Sequence, residues 1–227
     1  MDAGARRFRV AEWAGVLAWP VAWAASAMHA APRAFERPAA ALLGVIAGWA
    51  LSDLVSGVFH WAFDTWGSTA TPLIGRTLVR TFREHHARPQ EITLHDFVET
   101  NGTNALSAIT LAGAGAALGG SFLSTMFVVA SLGIAATSQI HKWAHSDRVP
   151  RWVAHLQRAG VLLGPEHHRR HHAAPHVRAY CITSGWLDAA LDGLEVFARV
   201  ERAVTSLTGA RPRRHARTRR PARTRRR

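Results

Sequence analysis

Cysteine is almost absent from this chain. The single Cys181 excludes an intramolecular disulfide and any Cys-based zinc or iron–sulfur site, so nothing here requires an oxidising compartment. Glu-x-x-His, the ligand motif of soluble carboxylate di-iron bundles, occurs nowhere. Charge is missing over a long stretch as well: the 42 residues between Glu99 and Lys142 hold no Asp, Glu, Lys or Arg, with Gly119-Gly120 close to their middle. That run argues against a soluble protein with long core helices. Acidic residues are absent from Arg211 to Arg227, where ten arginines stand. The other 210 residues carry 18 Lys and Arg against 15 Asp and Glu, so most of the formal +13 belongs to the tail. Strong basicity is therefore no sign of a nucleic-acid-binding core, and no specific nucleic-acid partner is expected.

What is present begins with apolar runs. The uncharged stretch fits two membrane spans of roughly 20 residues joined by a tight turn. Trp13 to Ala31 makes another, since Pro20 is tolerated in a membrane helix, and Ala39 to Phe63 makes a fourth behind Pro38 at a helix start. The expectation is an all-α integral membrane four-helix bundle with spans at about 13–31, 39–63, 103–119 and 121–141. It follows an N-terminal arm over 1–12, occupies 13–207 with a His-rich metal-binding cap, and ends in a disordered Arg-rich tail over 208–227. No cleavable signal peptide is expected. By parity the arm, the loop from Asp64 to Thr103 and everything after Lys142 share one face. Nearly all the Lys and Arg lie there, which makes it cytoplasmic, with both termini inside, as in a bacterial inner membrane.

Eleven of the fourteen histidines fall in four clusters: His60; His85, His86 and His95; His141 and His145; and His167, His168, His171, His172 and His176. Several offsets of four put two imidazoles on one helical face, as for His141/His145, His167/His171, His168/His172 and His172/His176. His60 and Asp64 repeat the offset and extend a polar stripe that begins at Asp53 and Ser56, about 16 Å long at helical rise. An Asp at the depth of Asp53 costs about 2.5–3.5 kcal/mol on insertion scales, so it should face a bundle interior or a polar cavity. Singly, each histidine has an ordinary structural reading. Together they return to one membrane face from separate chain segments, and ten or so candidate ligands exceed the four that close a structural zinc. Two metal ions are the economical reading, and ligand type alone leaves iron, zinc and copper open.

The segments HWAFDTWGS (60–68), FREHHARPQEITLHDFVETNG (82–102), QIHKWAHSD (139–147) and GPEHHRRHHAAPHVRAYCITSGWLDAALD (164–192) resemble, in order and spacing, the Kua lipid desaturase family, with its plasmanylethanolamine and CarF-like branch. Phe82 stands where the HxxHH box of acyl-CoA desaturases would need histidine. The resemblance implies a His-ligated di-iron centre that uses O2 and electrons from a cytochrome b5-type or ferredoxin-type donor to desaturate a membrane phospholipid. It implies His60, His85, His86, His141, His145, His167, His168, His171, His172 and His176 as metal ligands, with His145, His171 and His172 central to catalysis. Asp64 and His95 are implied as ligands or as hydrogen-bonding partners of ligands. The ether of plasmanylethanolamine is the expected substrate. An acyl-lipid desaturase and a His-rich metal-binding membrane protein are the alternatives. Trp61, Trp66, Trp143, Trp152 and Trp186 read as an interfacial belt, residues 151–163 as a surface-lying helix, and the arginine tail as a segment attracted to anionic headgroups.

Overall fold

The computed structural model describes residues 3–72 and 74–213, and among these there are helices and no strands. The arginines from position 214 onward, with most of the expected disordered tail, lie outside the described residues. Four helices are long: α1 (Ala3–Glu36), α2 (Pro38–Thr65), α4 (Phe97–Ala117) and α5 (Ser121–His145). Pro38 opens α2 from the first turn, where its missing N–H costs nothing. Asp96 caps α4 by accepting from Glu99 N at 2.9 Å, and Gly120, at φ +87°, supplies the left-handed residue that turns the chain into α5. Five shorter α-helices are also present among the described residues, α3 (Arg80–Ala87), α6 (Arg151–Arg158), α7 (Pro165–His172), α8 (Asp188–Gly193) and α9 (Val196–Thr208), with a π-helical turn over Gly75–Val79 and a 3-10 helix over Pro89–Leu94.

The long helices pack α1 on α4, α4 on α5 and α5 on α2. Their facing surfaces are small and polar rather than greasy. Ser26, Ser52, Ser124, Ser131 and Thr137 are buried, whereas Leu17, Val21, Met28, Leu42, Ile46 and Phe59 are exposed. Such an inverted pattern suits helices bathed in lipid, where close backbone approach and hydrogen bonds, not hydrophobic burial, hold helices together. Ser131 shows it well: its hydroxyl donates to Ala108 O at 2.9 Å and accepts from Trp19 Nε1 at 3.0 Å. At Gly133 an added Cβ would stand 2.5 Å from Ser52 Cβ, so α2 and α5 reach their contact distance only because that side chain is missing. Helices α2 and α5 are each long and apolar enough to cross a membrane.

Ser121 Oγ donates to Arg37 O at 3.1 Å, bringing the α1–α2 and α4–α5 turns to one end of the molecule. The histidine-bearing ends of α2 and α5 are therefore at the other. There α6 buries Val153 against Ile140, Leu163 and Ile182, so it packs on the protein body as well as facing outward through Trp152. Trp61 departs from the expected interfacial belt. It is 8 % exposed, stacks on Phe197 of α9 at 5.1 Å and donates to Glu201 at 2.8 Å, because α9 covers that side of α2.

Candidate metal centre

Two groups of donor atoms form where α2, α3, α5 and α7 meet. His85, His141, His145, His168 and His172 make one; His60, Asp64, His86 and His171 make the other. Within each group the ligand atoms lie within 4.8 Å of one another. Adjacent histidines divide between them: His85 and His172 turn to the first group, His86 and His171 to the second. Successive residues on a helix point about 100° apart, so one short helix can serve two centres.

The first group is all nitrogen. His168 Nε2 lies 2.8 Å from His141 Nε2 and 2.9 Å from both His145 Nε2 and His172 Nε2. One ring nitrogen can hold at most one hydrogen, so these three contacts cannot all be hydrogen bonds between neutral imidazoles. His85 closes the group with its ring 4.6 Å from that of His141, and its buried Nε2 has no hydrogen-bond partner. Nitrogens about 3 Å apart are the spacing expected on neighbouring sites of one cation with metal–nitrogen bonds of about 2.1 Å. A metal ion fits this donor set better than protons do.

In the second group a carboxylate is central. Asp64 Oδ2 is 2.9 Å from His86 Nε2, 3.4 Å from His171 Nε2 and 3.5 Å from His60 Nε2. Two of these rings are fixed from behind. His60 Nδ1 donates to Tyr180 O at 3.0 Å and His171 Nδ1 donates to Arg178 O at 2.9 Å. A carbonyl can only accept, so the hydrogen sits on Nδ1 and each Nε2 presents its lone pair to the site. Asp64 Oδ1 and His60 Nε2 are buried without hydrogen-bond partners, as donors waiting on a cation would be.

Electrostatics favour ligand-competent imidazoles. Burial, then the neighbouring His145 and His172, pushes the His85 pKa far below the usual histidine value. Burial likewise lowers His168, with His145 and His172 adding to it, and brings His172 down to about 2. All three are neutral at pH 7, the form that binds metal.

The remaining expected residues go elsewhere. His176 stands beside the second group, its Nδ1 3.3 Å from His86 Nδ1. His167 turns away from both groups and meets Asp188 Oδ2 at 2.7 Å. Nor does His95 join them; it precedes the Asp96 cap, its Nε2 is 3.7 Å from Glu99, and its carbonyl accepts from Lys142. Asp64, expected either as ligand or as partner of one, sits inside the donor group.

Behind the donor groups runs an extended segment, Arg178 to Leu187, that the histidine pattern did not announce. It lies along the polar stripe of α2. Ser56 Oγ accepts from Ile182 N at 3.1 Å; Asp53 Oδ1 accepts from Ser184 N at 2.7 Å and Gly185 N at 2.9 Å, and Asp53 Oδ2 from Leu187 N at 3.2 Å. The buried Asp53 thus faces a polar interior, as its insertion cost required, and its partners are backbone amides. Asp188 accepts from Cys181 N at 3.0 Å and Asp192 from Ala179 N at 3.2 Å. Asp188 and Asp192 were detectable only as acids downstream of the histidine run, with nothing in their spacing to mark a role.

Comparison with known proteins shows the family to which the chain belongs. A family model described as a lipid desaturase domain matches residues 49–215, which takes in every donor named above. The chain is 44 % identical over 177 residues to plasmanylethanolamine desaturase of Myxococcus xanthus, covering 76 % of this chain and 63 % of that protein. It is 40 % identical over 190 residues to plasmanylethanolamine desaturase 1 of Mus musculus, with 79 % and 70 % covered. To the chloroplastic fatty acid desaturase 4 of Arabidopsis thaliana it is 35 % identical over 172 residues, with 74 % and 52 % covered. No solved structure matches it. Family and apolar helices together point to a membrane protein. With the lipid desaturase model matching well over half its length, the chain belongs to the lipid desaturase family, the one its histidine motifs resemble.

Proposed function

We propose that this chain is an O2-dependent membrane lipid desaturase that converts the 1-O-alkyl ether of plasmanylethanolamine to the vinyl ether of a plasmalogen. The observation that carries the reading is the pair of donor groups, eight histidines and one aspartate, buried or half-buried where four helices meet. The names of the Myxococcus and mouse relatives supply the substrate. In the net reaction the ether chain loses one hydrogen from each of its first two carbons. O2 takes those two hydrogens, two electrons and two protons, and leaves as two waters. Two iron ions, when bound, supply an oxidant strong enough for an unactivated C–H bond, which no side-chain base can provide.

The rest falls to the protein. The nine donors would hold the metals, and the carbonyls of Tyr180 and Arg178 keep the His60 and His171 lone pairs inward. Asp64 brings one negative charge to its group, which offsets cationic charge in a buried place. Burial of His60, His168 and His171 keeps water from the site. Electrons come from a cytochrome b5-type or ferredoxin-type donor on the cytoplasmic face. In this reading α1, α2, α4 and α5 are the four spans of a bundle in a bacterial inner membrane. The histidine end and both termini are inside, in keeping with the cations concentrated there.

The test is lipid mass spectrometry on an aerobic host that lacks plasmalogens, expresses the chain and is fed an alkyl-ether lipid precursor. Vinyl ether should appear with the intact chain and not with His171→Ala. The likeness to fatty acid desaturase 4 favours a second reading, an acyl-lipid desaturase. A new ester-chain double bond without vinyl ether would establish that reading instead, and neither product would return the chain to metal binding alone.

A further inference from the structure

A pair of cations stands next to the metal groups and serves none of the roles above. Helix α2 ends one residue beyond Asp64, and two arginines are tethered there. Arg83 Nη2 donates to Trp66 O at 3.2 Å and Gly67 O at 2.6 Å. Arg213 donates its backbone N–H to Thr65 O at 2.9 Å. Favourable cations at a helix C-terminus account for the Nη2 contacts of Arg83. They leave its Nε, which is buried with no partner, and the whole exposed guanidinium of Arg213. Among the described residues neither arginine forms an ion pair with Asp or Glu. Their tethers are three successive carbonyls at the end of α2, Thr65 O for Arg213 and Trp66 O and Gly67 O for Arg83, so the two cations share one place. Such a pair lacks an anion.

An aromatic row runs beside it. Phe59, 56 % exposed on the outer face of α2, lies 6.0 Å from Phe63; Phe63 lies 5.2 Å from Phe82, and Phe82 lies 5.4 Å from the His60 ring. Helix α3 therefore presents Phe82, Arg83, His85 and His86 within two turns. An apolar track from the lipid-facing surface to the donor groups runs alongside a cationic pair.

We propose that Arg83 and Arg213 bind the phosphate of a glycerophospholipid whose sn-1 chain lies along Phe59, Phe63 and Phe82 toward the histidines. The proposal rests on the desaturase reading and deepens it. Arginine suits the role because its planar donors engage two phosphate oxygens at once. Chain length decides which carbons can reach the donors, since Arg83 shares the short helix α3 with His85 and His86. From the phosphorus through glycerol to the first two carbons of an ether chain is six and seven bonds, about 8 Å when extended, at bonds of about 1.5 Å. A mid-chain carbon would lie about twice as far or more. Anchoring the phosphate here selects the carbons next to the glycerol, which makes the pair a determinant of where the double bond forms.

The test uses the full chain in detergent and a fluorescent 1-O-alkyl phosphatidylethanolamine as the bound probe, displaced in turn by 1-O-alkyl-2-acyl-glycerophosphoethanolamine, by the same lipid lacking phosphate, and by inorganic phosphate. The phospholipid should compete at least tenfold better than the phosphate-free lipid, and inorganic phosphate only weakly. Arg83→Gln should abolish that preference, but Arg83 also caps α2. The deciding variant is therefore Arg213→Gln, whose native side chain enters no hydrogen bond or ion pair among the described residues. It should reduce the preference to under threefold. Equal competition by the two lipids, or an unchanged preference in Arg213→Gln, overturns the proposal. Competition by inorganic phosphate as strong as by the phospholipid assigns the pair to a free anion and overturns it too. Binding needs no turnover, so vinyl ether formed without a phosphate preference sinks this proposal alone, and a phosphate preference without any lipid product sinks the desaturase reading.

Discussion

The two donor groups hold similar numbers of ligands by different means. In the Asp64 group, two of three imidazoles are locked from behind by backbone carbonyls of one extended segment, and a carboxylate stands among them. In the His168 group all five donors are imidazoles, and the buried His168 Nδ1 has no hydrogen-bond partner. The first arrangement depends on the whole fold, since the carbonyls of Tyr180 and Arg178 are set by Asp53, Ser56, Asp188 and Asp192. The second depends mainly on α3, α5 and α7 being brought together. Preorganisation by hydrogen-bonding partners of the ligands therefore belongs to one site more than to the other.

The largest effect should come from removing a ligand of the locked group. His171→Ala leaves the Arg178 carbonyl without its donor and Asp64 with one imidazole fewer. Turnover should fall below detection and bound metal by at least half, with the protein still in the membrane fraction. Activity near that of the parent chain would remove His171 from the ligand set. Asp64→Asn is the sharper comparison. The amide keeps the shape and loses the charge, so metal analysis should find about one ion lost and one retained, while His145→Ala should deplete the other group. Equal loss of both ions in each variant would show that the groups bind as one cooperative centre and would break the distinction.

Asp53→Ala tests the dependence on the fold. Three backbone N–H groups would lose their acceptor, and at about 1–3 kcal/mol for each buried donor left unpaired the variant should lose at least about 3 kcal/mol of stability. Metal in the Asp64 group should fall first, because the segment carrying the Tyr180 and Arg178 carbonyls is released. A variant that loses stability but binds metal normally at both groups would mean that the extended segment does not hold the rings.

Much of this comparison was legible in the sequence, and its limits are physical. The offset of four placed His141 with His145, His168 with His172 and His60 with Asp64, because those pairs lie along single helices. The same rule also paired His167 with His171 and His172 with His176, which the structure separates. Helical spacing says which residues share a face, and only packing says which face meets the site; α7 gives one face to α5 and turns His167 toward Asp188. The membrane-facing pattern was readable from the uncharged run, since an absence of charge is a one-dimensional property. The extended segment was not, because its function lies in carbonyl directions, and main-chain groups leave no mark on side-chain composition. For the same reason Asp53 was readable as a polar residue that needed company, while the amides that satisfy it were not.

The smallest expected effect is the acid sensitivity of the metal-free protein. His85 and His168 carry pKa values lowered chiefly by burial, and their unfolded values lie near 6.5. Between the folded and unfolded values, the unfolded chain binds protons that the folded chain refuses. Stability is then fully present above about pH 6.5 and declines as the pH falls below it, by at most about 1.4 kcal/mol per pH unit for each such histidine. Denaturant unfolding of the metal-free chain should show a lower midpoint at pH 5.5 than at pH 7.5. His85→Gln, which removes one of the buried imidazoles, should flatten that slope, while Asp64→Asn should leave this contribution in place. A slope that vanished in Asp64→Asn and persisted in His85→Gln would reverse the assignment, making the carboxylate, not the crowded imidazoles, the source of the acid sensitivity.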